Sequence, residues 1–181
     1  GIVERARAQV AQALGASNAK IIFTSSATEA CALAFKEKKL LGSKVEHDAV
    51  LAWISTTLKT NMDGRVTVEN PTQSALQLAN SETGVIQEHL DLPTSVRVAV
   101  DATASGSRLP FPPHWNTALF DSLSWNGPAG IAIMAINNRS EFSYPLPHIA
   151  PISAPGSYSL PLLIASSIAL ENFKSEDPAL R

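Results

Sequence analysis

Apolar residues recur every three or four positions at the start of the chain, at Ile2, Ala6, Val10, Ala13 and Leu14, and Gly15 follows them. That spacing predicts an amphipathic helix stopped by a glycine. The pattern then shortens. Ile21-Ile22-Phe23-Thr24, within Lys20 to Ser25, is an apolar run of strand length. Ser26-Ala27-Thr28-Glu29 has the form of a capping box and predicts a helix through Ala30, Leu33 and Ala34. A brief strand is expected over Lys44 to Glu46. Asp48 is placed to cap a helix carrying Leu51, Ile54 and Leu58.

Beyond this point strands dominate. Asp63-Gly64 signals a turn, and Arg65 to Val68 alternates as a strand does. Ala75 to Ala79, Val96 to Val100, Ala118 to Phe120 and Ile131 to Ile136 are further strand candidates. The Val96 run is apolar apart from Arg97, as a buried parallel strand would be. Pro145, Pro147, Pro151 and Pro155 predict a loop. A last helix is expected from Leu160 to Phe173, with Leu160, Leu163, Ile164, Ser167 and Ile168 facing inward. About seven short strands mixed with helices predict an α/β fold with helices on both faces of one sheet. In such sheets ligands bind beyond the carboxyl ends of the strands. Ser26, Thr28, Asn80, Glu82 and Asp101 all follow strand candidates, so one crevice at one sheet edge is expected to collect them.

Composition narrows the class. The chain has 181 residues, 45% hydrophobic and 17% charged, with a net charge of −2. That is enough for one sizeable core. No Lys/Arg stripe forms, which argues against a nucleic-acid partner. Cys31 is the single cysteine, so no internal disulfide forms, consistent with a reducing cytoplasm. No apolar run approaches the roughly 20 residues of a membrane span. The chain opens inside a helical pattern rather than a signal peptide, and a preceding segment is expected to have been lost. His47, His89, His114 and His148 stand too far apart for a metal-ligand motif, so no metal is expected. No Gly-x-Ser-x-Gly or P-loop occurs. Trp53, Trp115 and Trp125 read as core or rim aromatics.

Several stretches, taken in order, carry a resemblance. They are Phe23-Thr24-Ser25-Ser26-Ala27-Thr28-Glu29, Val45-Glu46-His47-Asp48-Ala49-Val50, Asn80-Ser81-Glu82-Thr83-Gly84-Val85-Ile86-Gln87, Val98-Ala99-Val100-Asp101-Ala102-Thr103, and Gly127-Pro128-Ala129-Gly130. Together they resemble the cysteine desulfurases, pyridoxal-phosphate (PLP) enzymes of the class V aminotransferase fold. The resemblance implies the large domain of PLP-transferase fold type I, with a mixed, mostly parallel seven-stranded sheet. It implies one domain over residues 1–181, without the family's small C-terminal domain. It also implies PLP as cofactor, a homodimer or a heterodimer with a family relative, and a cytoplasmic location. Residue by residue, Ser26 and Thr28 fall in the phosphate-binding turn, and a helix N-terminus suits an anion. His47 falls where a histidine stacks on the pyridine ring. Asn80 falls in a cofactor-contacting loop. Asp101 falls where a carboxylate keeps the pyridine nitrogen protonated.

The chain departs from the family pattern where the chemistry is done. The family's Ser-Gly-His-Lys precedes its Gly-Pro-x-Gly turn, but this chain reads Asp121-Ser122-Leu123-Ser124-Trp125-Asn126 there. Leu123 stands in the histidine column and Ser124 in the column of the Schiff-base lysine. A hydroxyl cannot form an imine. Ser81 and Ala104 replace an asparagine and a glutamine that reach the cofactor's phenolic oxygen. No cysteine lies between Asn137 and Ser157, where the family's nucleophile sits. Ala154-Pro155-Gly156-Ser157 lacks the arginine that binds the substrate carboxylate. Cys31 is expected to pack inside a helix. Two readings follow: a desulfurase-like protein without catalysis that serves as a binding or assembly partner, or a PLP-dependent sulfur-transfer enzyme that uses a partner's residues.

Overall fold

The computed structural model describes residues 1–36, 38–68, 73–88, 92–137, 142–147 and 157–176. The chain opens with α1 (Ile2–Ala13), β1 (Lys20–Thr24), α2 (Ala27–Phe35), β2 (Leu40–Ser43) and a single helical turn, α3 (Asp48–Leu51). Next come β3 (Ile54–Thr60), β4 (Val66–Thr67), β5 (Gln73–Gln77), β6 (Arg97–Asp101) and β7 (Thr117–Asp121). A 3₁₀ turn (Ser122–Trp125), β8 (Ala132–Ile136) and α4 (Leu160–Ser175) complete the described elements.

The strands form one mixed sheet in the order β1-β8-β7-β6-β5-β2-β3-β4. β8 runs antiparallel to both its neighbours, and β4 antiparallel to β3, while the remaining pairs are parallel. β1, β2, β5, β6 and β7 therefore all end at one edge. Among the described residues the sheet has eight strands rather than the seven expected, because β3 forms where a helix was expected.

Alternation along the strands divides the core into two layers. Ile21, Phe23, Leu76, Val98, Val100, Phe120 and Ile133 face α1 and α4. Ile22, Ala75, Ala99, Leu119 and Met134 face the other way, toward Ala30, Leu33, Ala34 and Phe35 of α2. Helices thus cover both faces, as the fold class requires. Phe23, Phe120 and Trp125 are fully buried, and side chains of that size each remove 150–250 Å² from water by rough estimate.

Four expectations are corrected. The helix after Asp48 lasts one turn, and Ile54–Thr60 is strand. Its Ile54-Ser55-Thr56-Thr57 run is rich in β-branched residues, which lose side-chain freedom in a helix and pack well in a sheet. The strand expected over Lys44 to Glu46 lies earlier, at Leu40–Ser43, and that over Ala75 to Ala79 begins and ends two residues earlier. On α4 the inward residues are Leu163, Ser166, Ser167, Leu170 and Phe173. Leu160 and Ile168 are instead 46% and 52% exposed. The reason is polar: Ser166 Oγ lies 2.7 Å from Ser122 Oγ and 3.3 Å from the Trp125 indole nitrogen, which fixes the helix rotation. Residues 142–147 form neither helix nor strand. Pro151 and Pro155 lie outside the described residues.

Candidate functional site at the carboxyl edge of the sheet

At the end of β1, Ser26 caps α2 in extended backbone, and its Oγ accepts from the Glu29 amide at 3.1 Å. The capping box is closed differently from the usual reciprocal form. The Glu29 carboxylate accepts from the Ser25 amide at 2.8 Å and from Ser25 Oγ at 2.6 Å. An internal anion thus already sits at this helix N-terminus, the position that favours negative charge. Ser26 and Thr28 are both exposed.

At the end of β2 the chain turns through Lys44-Val45-Glu46-His47. The Val45 carbonyl accepts from Gln77 Nε2 at 3.0 Å and from Asn80 Nδ2 at 2.9 Å. Asn80 Nδ2 also lies 3.2 Å from Gln77 Oε1. Asn80 Oδ1 accepts from the amides of Glu82 and Thr83 and from Thr83 Oγ1, within 3.0 Å in each case. The amide of Asn80 is therefore saturated within the protein. His47 is exposed, and its Nδ1 accepts from the Ala49 amide at 3.1 Å as the cap of α3.

Gln77 and Asp101 are register partners at the ends of β5 and β6. Asp101 Oδ1 accepts from the Thr103 amide at 2.9 Å and from Thr103 Oγ1 at 2.6 Å. Glu46, only 4% exposed, reaches the same place: its Oε1 accepts from the Gln77 amide at 3.4 Å, while Oε2 is buried without a partner. Burial first, and the Asp101 charge second, push the Glu46 carboxyl up to about 8, against the opposing Gln77 hydrogen bond. The same surroundings act on Cys31 in α2. Burial, then Asp101, then Glu46 push its thiol up to about 12, and its Sγ donates to the Ala49 carbonyl at 3.0 Å.

At the end of β7, Asp121 Oδ1 accepts from the Leu123 amide at 2.9 Å and caps the 3₁₀ turn. Leu123 is 60% exposed. Ser124 Oγ donates to the Asp121 carbonyl at 2.7 Å, and the Ser124 carbonyl accepts from Arg108 at 2.6 Å. Ser124 lies against Gly106, where an added Cβ would come within 2.6 Å of its Oγ. Gly127 closes the turn on Ser122 and the Trp125 indole.

The structure thus places Ser26, Thr28, His47, Asn80, Asp101 and Ser124 along one edge of the sheet. Hydrogen bonds link Asn80 to the His47 turn, and strand register puts Asp101 beside Gln77, which holds the same turn. The hydrogen bonds of Ser26 stay in its own turn. Cavities of about 280 Å³, lined in part by Leu14, Arg108, Phe111 and Lys174, and about 210 Å³, lined in part by Leu78, Ile86 and Leu109, are not lined by any of these residues. Among the described residues no cluster suits a metal ion, and no helix is long and apolar enough to cross a membrane. His89, His148 and the Ala154-Pro155-Gly156 segment lie outside the described residues. Glu46 was missed as a site residue. It stood beside His47 in a quoted stretch, but nothing in the sequence marks its burial.

A parallel-cored sheet with the antiparallel strand β8 set inside it, helices on both faces and its polar residues gathered at one carboxyl edge is PLP-transferase fold type I. Comparison with known proteins agrees. The family model for class-V aminotransferases matches residues 1–88. A cysteine desulfurase IscS of Anaeromyxobacter sp. (strain Fw109-5) is 30% identical over 171 residues, covering 76% of this chain and 42% of the relative. Among solved structures, a NifS-like protein superposes with a TM-score of 0.74 at 25% identity, over 94% of this chain and 57% of that one. DndA from Streptomyces lividans gives a TM-score of 0.78 at 23% identity, over 96% of this chain and 61% of that one. The chain is thus similar to class-V aminotransferases over residues 1–88 and to cysteine desulfurases over most of its length. It spans less than half the length of the Anaeromyxobacter relative.

Proposed function

We propose that this chain is a cysteine desulfurase-like protein without the family's covalent chemistry, and that it works as a binding or assembly partner. The observation that carries this reading is Ser124. It occupies the lysine column, has no amine, and donates its hydroxyl to the Asp121 carbonyl. PLP supplies an electron sink to enzymes that hold it through a lysine, and the residues here do not fit that mode. The saturated Asn80 amide has no group left for a ring oxygen. The Glu29 carboxylate already takes the Ser25 donors beside the expected phosphate position. Asp121, across β8 from Thr24 at the same edge, adds a second negative group that would repel a phosphate dianion. One domain over residues 1–181, a dimer of this chain or with a family relative, and a cytoplasmic location complete the proposal.

The test is the visible absorbance spectrum of protein purified with added PLP, before and after borohydride, followed by mass spectrometry of the digest. The expected result is no pyridoxyl group on any peptide and at most weak, dialysable absorbance. A pyridoxyl-lysine would overturn the reading and favour a sulfur-transfer enzyme. In a second arm, Ser124→Lys with PLP and a reductant is expected to release no sulfide from cysteine, because a thiolate nucleophile is also required and Cys31 is held as a buried thiol. Turnover abolished by Cys31→Ala would overturn it as well.

A further inference from the structure

We propose that Glu46 is a neutral carboxylic acid buried near Asp101, and that the 44–47 turn, with His47, is held most firmly on the carboxyl edge of the sheet while Glu46 stays neutral. The geometry comes first. Glu46 and Asp101 are 4% and 7% exposed. Glu46 Oε1 takes the amide of Gln77, the register partner of Asp101, so the two acids lie beyond β2 and at the end of β6, on either side of β5. Glu46 Oε2 is buried with no hydrogen-bond partner. An ionised carboxylate in that position would be an unpaired buried charge beside a second one, an arrangement proteins avoid by keeping the proton.

The titratable groups that face Glu46 are Asp101 from β6 and Cys31 from α2. Gln77, from β5, is uncharged. The adjoining His47 turns its Nδ1 to the Ala49 amide. The ion pairs Arg7–Glu4 and Arg65–Glu88 lie elsewhere. Burial and the Asp101 charge both act against the ionised form of Glu46, opposed by the Gln77 hydrogen bond.

The sign follows from linkage. Folded Glu46 keeps its proton up to about pH 8, whereas an unfolded glutamate releases it near 4.5. Unfolding between those values therefore releases a proton, and stability falls as pH rises through the window. This is the reverse of a salt-bridged carboxylate, which loses stability in acid.

The experiment compares wild type with Glu46→Gln, which keeps the shape and stays neutral. Infrared spectra in heavy water follow the protonated-carboxyl carbonyl band, and urea unfolding is measured from about pH 5 to about pH 10. Wild type should show the acid band near neutral pH and lose it above about pH 8; Glu46→Gln should lack it. The unfolding constant of wild type should rise relative to Glu46→Gln by up to about a thousandfold across the window, roughly tenfold per pH unit. Parallel pH profiles, or no acid band at neutral pH, would overturn the proposal. Should Glu46→Gln fail to fold, Asp101→Asn decides. Removing that charge should move the loss of the acid band to lower pH, and an unchanged midpoint would be fatal to the pairing.

Discussion

Around Glu46 the polar atoms are buried and tied from the turn after β2 to β5, whereas the hydroxyls of Ser26 and Ser124 lie nearer solvent and bond within their own turns. Both regions sit on the same sheet edge. The first depends on neighbouring strands for its partners, so a change there disturbs several elements at once. The second is made of local caps, each replaceable by another residue with the same short reach. A sheet edge built this way tolerates a changed side chain at its capped end while the strand-linked end stays in place.

The sharpest way to break the contrast is to probe the thiol beneath the acid pair. With the Cys31 thiol at about 12 instead of 9.0, native protein at mildly alkaline pH should react with a disulfide reagent about a thousandfold more slowly than urea-unfolded protein. Equal rates would mean that the acid end is open to solvent. Next in size is Gly127→Ala. The new Cβ would overlap Ser122 Oγ and lie 2.9 Å from the Ser122 carbonyl and 3.1 Å from Trp125 Nε1. Those groups are buried and hydrogen-bonded to Ser166, so the loss should be about 3 kcal/mol in urea denaturation. A loss below half a kilocalorie would show that the turn is loose. The smallest effect belongs to Ser26→Ala, which removes one cap bond and should cost about 1 kcal/mol with no change in fold. A collapse of the fold would show that this turn is as strand-dependent as the acid end.

The period changes in the first 35 residues marked α1, β1 and α2 well, since each is a clean helical or apolar run with a capping signal. The sheet edge was legible too, because Asp101 and Asn80 follow strands whose apolar runs are unambiguous. The 44–60 stretch was not. Leu51, Ile54 and Leu58 fall at helical spacing, yet Thr56 and Thr57 sit between them, and the strand prevailed. The burial of Ser166 and Ser167 was equally hidden, because a serine reads as polar until Ser122 and Trp125 are seen to supply its partners. Glu46 was silent for the same reason. Its burial depends on Gln77, 31 positions away in the chain.

The Gly127 turn bears on how a lineage can shed an activity. Its glycine stays because Ser122 and the Trp125 indole leave no room for a side chain, a demand that folding imposes whether or not any reaction occurs. Selection for a folded chain is then enough to preserve the most recognisable part of a catalytic signature. Ser124, three residues earlier, is held by different contacts, against Gly106 and by its bond to the Asp121 carbonyl. Under the function proposed above, Gly127 reports the fold, and the residue at position 124 reports the chemistry.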